Sequence, residues 1–311
     1  MDILVGHTGF VGSNLCVQHQ FDETYNSKNI QKAFGLNPDL CVYAGVRAEK
    51  FLANKTPEAD MILIKDAINN IKSINPKKLV LISTIDVYKE PNGCTESTII
   101  DEEGLHPYGY NRYQLEKWCA ENVKECHILR LPGLFGKSIK KNFIYDLIHV
   151  LPSALNEEKY NLFSAEDEKI QNHYLKQESG FYMLQEVSRQ ERKDLLETFR
   201  RLNFSALNFT DSRAVFQFYN LNYLWKHIEW VMKHNIHLIN MAVEPVSASE
   251  IYYEIHNKNF VNEIVEKPSY YDFRTKYSSL FCSDKGYIFQ KERVLAEVLD
   301  FVYSQKRHMQ T

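Results

Sequence analysis

Short aliphatic runs alternate with amphipathic stretches along the first 132 residues, and this alternation restricts the fold more than any other feature of the sequence. The runs are DILV near the start, LCVYAGV around residue 42, KLVLIST before residue 85 and CHILRL before residue 132. Each run is apolar throughout, as in parallel strands that are buried on both faces. Strands that alternate with helices form a parallel sheet covered by helices on both sides. We therefore predict an α/β fold with a doubly wound parallel sheet.

The alternation weakens after residue 136. The stretch 156–201 is highly charged and helix-like, and it shows no strand pattern. The strand-like HLINMAV at 237–243 follows a helical pattern and is expected to rejoin the sheet. A second, smaller and mainly helical domain should form from the remainder. The predicted boundaries are 1–145 completed by 205–245 for the sheet domain, and 146–204 with 246–311 for the smaller domain.

Composition excludes several classes of protein. The net charge of -3 and the lack of a Lys/Arg cluster argue against binding to nucleic acid. No apolar run approaches the roughly 18 to 20 residues that cross a bilayer, and the start shows no basic region or cleavage site. The six cysteines are scattered without a CxxC pair, so we predict no metal site and no disulfide framework. These features are typical of a cytoplasmic protein that binds no membrane.

The segment GHTGFVG lies between the first strand and the first helix. Glycines in this setting allow a tight turn and let the backbone approach a pyrophosphate at the positive end of the helix. The segment therefore predicts a dinucleotide site. Its predicted contacts are Gly6, Thr8, Gly9, Phe10, Val11 and Gly12.

The stretch HPYGYNRYQLEKW contains two tyrosines that each precede a base by four residues. The pairs are Tyr108 with Arg112 and Tyr113 with Lys117. On a helix, residues four apart are neighbours, so either cation could stabilise a phenolate. The two tyrosines differ by about 140° around a helix, so only one can face a site. The local pattern alone leaves the choice open.

Four motifs resemble the extended short-chain dehydrogenases/reductases that act on nucleotide sugars, which include epimerases, dehydratases and reductases. GHTGFVG matches their GxxGFxG loop, LISTIDVY resembles their strand with a catalytic Ser/Thr, HPYGYNR is similar to PYGxSK, and LRLPGLFGK is similar to LRxxNVYGP. The resemblance covers residues 1–145 well and 205–255 faintly. It implies a Rossmann-like sheet, a smaller substrate-binding domain, a nicotinamide cofactor and a nucleotide-sugar substrate, and it is compatible with a homodimer.

The resemblance implies that Thr84 and Tyr108 are catalytic, since the PYG segment precedes Tyr108. Arg112 then occupies the position of the family's lysine. An arginine keeps the positive charge but cannot relay a proton. Tyr113 and Lys117 are expected to be a surface pair.

The segment ETYNSKNI follows the expected second strand, where NAD sites usually carry an acidic residue. It offers Asn26, Ser27 and Lys28, which could hold a 2′-phosphate, so NADP is favoured over NAD. An ordinary polar turn remains the alternative. The resemblance adds Ala44, Gly45 and Pro132 as cofactor contacts.

The resemblance implies substrate contacts at Thr84, Asp86 and Asn142, and Arg213 suits bidentate binding of a diphosphate. Gly133 stands where the family carries another asparagine. We predict an NAD(P)-dependent oxidoreductase or epimerase acting on a nucleotide-activated sugar through proton and hydride transfer. A non-catalytic NAD(P)-binding protein and an oxidoreductase for a small carbonyl compound are the alternatives.

Overall fold

The computed structural model describes residues 1–283 and 285–310. The elements of the first part of the chain are β1 Asp2–Val5, α1 Phe10–Gln18, β2 Glu23–Tyr25, β3 Leu40–Tyr43, α2 Lys50–Lys55, α3 Pro57–Ile74, β4 Lys78–Thr84, α4 Pro107–Asn122, β5 Glu125–Leu131 and β6 Gly133–Phe135. Those of the second part are α5 Phe143–Ile148, β7 Ala154–Leu155, α6 Glu157–Glu166, α7 Glu168–His173, β8 Tyr174–Lys176, β9 Tyr182–Leu184, α8 Arg189–Arg201, β10 Val215–Phe216, β11 Phe218–Asn220, α9 Leu224–Lys233, β12 Leu238–Asn240, β13 Val246–Ser247, α10 Ala248–His256 and α11 Lys291–Gln310.

A six-stranded parallel sheet has the strand order β12-β5-β4-β3-β1-β2. All four residues of β3 are buried, as the apolar run predicted. α3 packs against α4, and α1 packs against α9. The predicted α/β doubly wound sheet is confirmed, and so is the return of the chain through β12, where Leu238 pairs with Ile128 of β5.

The sheet grows in two directions from β1. The chain first adds β2 on one side and then crosses to the other side for β3, β4 and β5. At such a reversal the loops that leave the two central strands diverge, and a crevice opens at the carboxyl ends of the strands. The loops after β1 and β3 therefore border the natural ligand position of this sheet.

One core cluster holds α3 and α4 against the sheet. The buried residues of α3 recur at spacings of three and four, which places them on one stripe of the helix. Those of α3 in the cluster are Ile64, Ala67, Ile71 and Ile74, and those of α4 are Leu115 and Cys119. The carboxyl end of β4 and the start of α4 are thereby fixed relative to each other.

The chain divides into two compact units. The sheet unit comprises Met1–Ile139, Val215–Val246 and Tyr270–Glu297, and the second unit comprises Lys140–Ala214, Ser247–Ser269 and the chain from Val298. The segment Tyr270–Glu297 thus lies in the sheet unit, whereas the sequence predicted all of 246–311 in the smaller domain.

Backbone hydrogen bonds explain the placement of Tyr270–Glu297. The Ile288 amide donates to the Ala242 carbonyl at 2.7 Å, and the Tyr271 amide donates to the Val215 carbonyl at 3.1 Å. Within 270–283 and 285–297 the segment has no strand of its own, and it joins the sheet unit through such single bonds. Bonds of this kind leave no periodic pattern in the sequence.

The second unit contains a small antiparallel sheet in the order β7-β9-β8. The prediction of no strand within 156–201 is therefore wrong. β8 and β9 have three residues each, which is too short for a recognisable alternation, and they are joined by a turn at Gly180, whose φ is +91°. The core of this unit is formed by Leu151, Leu155, Phe163, Ile170, Tyr174, Leu195 and Phe199.

Within residues 1–283 and 285–310, none of the helices combines the length and apolarity that a bilayer-spanning segment requires. The same part of the chain contains no cluster of His, Cys, Asp and Glu side chains suited to a metal ion. All six cysteines are free thiols.

Candidate functional site

The loop from Gly6 to Gly12 joins β1 to α1. Gly6 has a φ of +93°, and a Cβ there would lie 2.4 Å from the carbonyl oxygen of Ala44. A Cβ at Gly12 would lie 2.1 Å from the carbonyl oxygen of Gly6. Because both distances are far below van der Waals contact, only glycine fits at these positions. The two glycines let β1, the loop after β3 and the first turn of α1 approach closely.

The start of α1 offers a place for an anion. Gly9 is the N-cap without a side-chain cap, and the first turn contains no acidic residue. The first N–H groups of a helix have no partner within it and carry the positive end of its dipole. Thr8 and Gly9 are exposed, and Nδ1 of His7 is buried without a hydrogen-bond partner among the described residues. An uncapped helix start beside an unpartnered imidazole nitrogen suits a phosphate oxygen.

The residues after β2 adjoin this loop, because the Gly6 amide donates to the Tyr25 carbonyl at 2.7 Å. The side chain of Asn26 accepts a hydrogen bond from the Lys28 amide at 2.9 Å and so shapes the turn. Ser27 and Lys28 are exposed. Their side chains are therefore accessible to a ligand that follows the carboxyl edge of the sheet.

The residues after β3 also adjoin the glycine loop. The Ala44 amide donates to the Val5 carbonyl at 2.9 Å, and Gly45 is exposed. Pro132 follows directly after β5, two strands further along the sheet, and is half-buried. The predicted cofactor segments after β1, β2, β3 and β5 thus follow the carboxyl ends of strands in one sheet, whereas Tyr108 and Arg112 belong to α4.

Thr84 and Tyr108 meet where β4 ends and α4 begins. The Thr84 hydroxyl accepts a hydrogen bond from the Asp86 amide at 3.1 Å. Tyr108 is buried, and the Thr84 side chain lies close enough to its phenol to lower the pKa of Tyr108. The contact depends on Gly109, where a Cβ would lie 2.0 Å from the carbonyl oxygen of Asp86. The PYG segment thus brings the phenol to the hydroxyl through a close backbone contact.

Opposing influences act on the Tyr108 phenol. Burial raises the pKa of Tyr108 above its ordinary value, and the charge of Arg112 opposes this by lowering it. The Asp86 carboxylate raises the same pKa, whereas the Thr84 side chain lowers it. The net pKa of Tyr108 is raised, so the phenol keeps its proton at neutral pH. In this state Tyr108 can donate a proton. To accept one it must first be deprotonated, and added positive charge near the phenol favours that deprotonation.

Arg112 lies over the face of the Tyr108 ring, with its guanidinium carbon 4.0 Å from the ring centroid. Only 5% of Arg112 is exposed. It forms an ion pair with Asp60 of α3 and donates to the Arg47 carbonyl at 2.6 Å. Asn111 donates to the same carboxylate of Asp60 at 2.8 Å. The cation is therefore fixed from three directions in a favourable cation–π position.

The sequence prediction missed Asp60 and Lys50. Asp60 reads as an ordinary acidic residue in the first turn of α3. Lys50 is the first residue of α2, and its ammonium donates to the Asp86 carboxylate at 2.7 Å. Neither residue belongs to a motif, because each reaches the site through the packing of distant segments.

The second pair on α4 has different surroundings. The Lys117 ammonium lies 5.1 Å from the Tyr113 ring centroid and donates to the Glu102 carboxylate at 2.6 Å. The side chains of Lys117 and Glu102 are 35% and 38% exposed. Tyr113 packs against a hydrophobic cluster that includes Ile85 and Tyr88.

Asn142 and Arg213 belong to the second unit, and both have structural partners there. The Asn142 side chain caps α5 by accepting from the Ile144 and Tyr145 amides at 3.0 and 3.2 Å. Arg213 forms ion pairs with Asp211 and Glu263. A ligand would therefore share or displace these contacts.

No protein-family model and no curated protein sequence matches the chain. Among solved structures, a dTDP-4-dehydrorhamnose reductase from Clostridium acetobutylicum is similar over 97% of this chain and 100% of that chain, with a TM-score of 0.62 and 15% identity. The UDP-N-acetylglucosamine 4-epimerase from Bacillus cereus is similar over 98% of each chain, with a TM-score of 0.57 and 14% identity.

A short-chain dehydrogenase/reductase superfamily protein from Agrobacterium tumefaciens, solved with bound NAD, is similar over 99% of this chain and 98% of that chain, with a TM-score of 0.60 and 12% identity. Likeness at such low identity concerns the fold and not the activity. The chain therefore has the α/β Rossmann-like fold seen in the short-chain dehydrogenase/reductase superfamily.

Proposed function

We propose that the sheet unit binds a nicotinamide dinucleotide at the carboxyl ends of its strands. The support is the glycine loop, in which Gly6 and Gly12 admit no side chain, and the uncapped start of α1 beside the unpartnered His7. The residues that would hold the cofactor are Gly6, Thr8, Gly9, Phe10, Val11, Gly12, Asn26, Ser27, Lys28, Ala44, Gly45, Tyr108, Arg112 and Pro132.

NADP is the cofactor that the end of β2 favours. A ribose 2′-hydroxyl is usually held by a carboxylate at this position, and the turn carries none at Asn26, Ser27 or Lys28. Glu23, the nearest acidic residue, lies earlier on β2 and bonds to the Tyr25 phenol. An exposed lysine and serine suit a 2′-phosphate.

We further propose that the chain is an oxidoreductase or epimerase acting on a nucleotide-activated sugar. The observation that carries the proposal is the buried Tyr108 phenol, which lies near Thr84 at the end of β4 and is stacked under Arg112. A bound nicotinamide would supply or accept a hydride at a sugar carbon. Tyr108 would exchange a proton with the oxygen on that carbon, and Thr84 would hold the same oxygen by a hydrogen bond.

Arg112 has a defined part in this proposal. Its charge over the ring favours the phenolate and so makes proton transfer from Tyr108 easier. Because it is held by Asp60 and the Arg47 carbonyl and does not lose a proton near neutral pH, it takes no part in moving the proton. The substrate contacts remain proposed at Thr84, Asp86, Asn142 and Arg213.

A non-catalytic NAD(P)-binding protein is the second candidate. The observation that favours it is the buried ion pair of Arg112 with Asp60, which commits the cation to the protein's own structure. A raised pKa of Tyr108 is compatible with a phenol that only donates a hydrogen bond. In that case the cofactor would bind without turnover.

Cofactor binding is tested first, by titrating the protein with NADPH and NADH and following nucleotide fluorescence. We expect tighter binding of NADPH, and we expect Lys28→Ala to weaken NADPH binding about tenfold while leaving NADH binding unchanged. Lys32→Ala, a change of the next lysine along the chain, is the control. Absence of binding to both nucleotides would contradict the proposal.

Turnover is tested with a panel of nucleotide sugars and their keto derivatives, with nicotinamide absorbance and product chromatography as readouts. Oxidation or reduction of any nucleotide sugar in the panel supports the proposed enzymatic activity. Loss of that activity in Tyr108→Phe supports the role of Tyr108 in proton transfer. Tight cofactor binding without turnover across the panel would support the non-catalytic candidate. Light scattering in solution tests the homodimer that accompanies the proposal.

A further inference from the structure

Lys50 reaches the proposed site from a segment that no motif marks. It begins α2, and its ammonium lies 2.7 Å from Oδ1 of Asp86, two residues after Thr84. The Lys50 side chain is 42% exposed and the Asp86 side chain is 20% exposed. The pair is thus partly shielded from water, where a charge acts on its neighbours more strongly than on an open surface.

Two further ionisable groups face Lys50. Burial raises the pKa of Tyr271, and the charge of Lys50 together with a hydrogen bond from it lowers that pKa. Burial lowers the pKa of His106, Lys50 lowers it further, and Asp86 raises it. His106 in turn caps α4 by accepting from the Gly109 amide at 3.0 Å. One lysine therefore contacts or faces groups from three separate segments around the start of α4.

The Asp86 carboxylate opposes ionisation of the neighbouring phenol, as the direction of its effect on the pKa of Tyr108 shows. Asp60 acts in the same direction, but Arg112 is paired with it. Without Lys50, Asp86 would carry an unpaired negative charge next to the phenol. A phenolate beside an unpaired carboxylate is disfavoured by like-charge repulsion.

We propose that Lys50 is a positioning residue for Tyr108, since it pairs with the carboxylate of Asp86, whose carbonyl lies against Gly109, the residue after Tyr108. The effect of Lys50 on catalysis rests on the proposed function, whereas its effect on the ionisation of Tyr108 does not. Lys50 acts through Asp86, and it is assigned no contact with substrate or cofactor. The two carboxylates that disfavour ionisation of the phenol, Asp86 and Asp60, are each paired with a cation, Lys50 and Arg112 respectively.

The test measures ionisation of Tyr108 directly in the full chain. Tyrosine is replaced throughout by 3-fluorotyrosine, whose phenol is more acidic, so that its titration is shifted toward the pH range of the folded protein. The resonance of residue 108 is assigned in ¹⁹F spectra by its loss in Tyr108→Phe. The midpoint of its pH titration is then compared in wild type, Lys50→Met, Lys50→Arg, Asp86→Asn and Lys117→Met.

We expect Lys50→Met to shift the Tyr108 midpoint to higher pH, Lys50→Arg to restore it and Asp86→Asn to shift it to lower pH. Lys117→Met is the matched control, since Lys117 also pairs with a carboxylate at 2.6 Å on the same unit. In the double variant Lys50→Met with Asp86→Asn, the upward shift should disappear, because the charge that Lys50 balances is gone. An unchanged midpoint in Lys50→Met, or an equal shift in Lys117→Met, would overturn the proposal.

The titration needs neither substrate nor cofactor, so its outcome is separate from that of the proposed function. If a nucleotide sugar is turned over, Lys50→Met should lower kcat about tenfold and shift its pH profile in the same direction as the midpoint, with KM unchanged. If the wild type turns over no substrate while the midpoint shifts as expected, the proposed function fails and the coupling of Lys50 to Tyr108 stands. A profile that does not move with the midpoint would overturn the role of Lys50 in catalysis.

Discussion

Helix α4 carries two tyrosines that each lie next to a cation four residues on, and the structure gives them different surroundings. Tyr108 is buried, and Arg112 lies 4.0 Å from its ring centroid with only 5% of its surface exposed. Tyr113 is half-buried, and Lys117 lies 5.1 Å from its ring centroid with a side chain 35% exposed. The two pairs share spacing and helix but differ in burial.

The difference shows that a Tyr-x-x-x-base spacing does not by itself define a site. Arg112 is tied to a second helix through Asp60, and Tyr108 meets Thr84 at the end of a central strand. Lys117 is tied to Glu102, in the loop before its own helix. Because charges interact more strongly away from water, the first pair can influence proton transfer and the second is screened.

Removal of the phenol hydroxyl should separate the two tyrosines most clearly. We expect Tyr108→Phe to reduce turnover of any identified substrate by about 10² to 10⁴, the usual contribution of a positioned acid or base. Tyr113→Phe, on the next turn of the same helix, should retain turnover within about twofold, since the Tyr113 ring packs against a hydrophobic cluster and its neighbouring cation is paired with Glu102. Steady-state kcat and cofactor affinity are the measurements. Equal losses in the two variants would show that the comparison is wrong.

Arg112 and Lys117 should differ in how much each contributes to the free energy of unfolding. Arg112→Met leaves the buried Asp60 without its partner, and we expect the free energy of unfolding of the sheet unit to fall by about 3 to 5 kcal/mol. Lys117→Met should cost less than about 1 kcal/mol, as for other exposed pairs. All three tryptophans of the chain lie in the sheet unit, so tryptophan fluorescence during urea unfolding reports this unit. Similar costs for the two variants would contradict the assigned burial.

Exchange of Arg112 for lysine separates the contribution of the charge at position 112 from that of the guanidinium shape. Arg112→Lys keeps a charge for Asp60 but removes the planar fork that also reaches the Arg47 carbonyl. We expect a loss of about 1 to 3 kcal/mol, between the two methionine variants. The same urea experiment measures it, and a loss equal to that of Arg112→Met would show that the shape of the guanidinium matters more than its charge.

The smallest effect concerns pH. The hydrogen bond from Lys117 lowers the pKa of Glu102 below its ordinary value of 4.5. A carboxyl whose pKa is lowered by folding contributes stability above its unfolded pKa and loses it as pH falls through the folded pKa. The coupling between Lys117→Met and Glu102→Gln should therefore be measurable at pH 7, fall away as the pH drops through the folded pKa of Glu102 and weaken in high salt. A coupling that persists in acid would place this pair in a less exposed setting than the structure does.

The features that depend on local pattern were predictable from the sequence. The apolar runs identified the strands of the central sheet, and the glycine spacing identified the loop between β1 and α1. Gly6 and Gly12 are needed there because backbone atoms of other segments occupy the space of a Cβ. The strands β8 and β9 were too short to give a pattern.

The partners of the proposed catalytic residues were not predictable in the same way. Asp60 meets Arg112 across 52 positions, and Lys50 meets Asp86 across 36. Each contact arises because α2 and α3 pack against the start of α4, and no spacing in the sequence records that packing. The same holds for Tyr271, which belongs to a segment that was predicted to lie in the other domain.

The close approach at Gly109 has a consequence for protein engineering. The carbonyl of Asp86 occupies the space where a side chain at 109 would begin, so the separation of Thr84 and Tyr108 is set by two stretches of main chain. Libraries that diversify the side chains around Thr84 and Tyr108 can therefore change which substrates the site accepts while preserving the alignment of hydroxyl and phenol. Position 109 is the one that such a library must leave untouched.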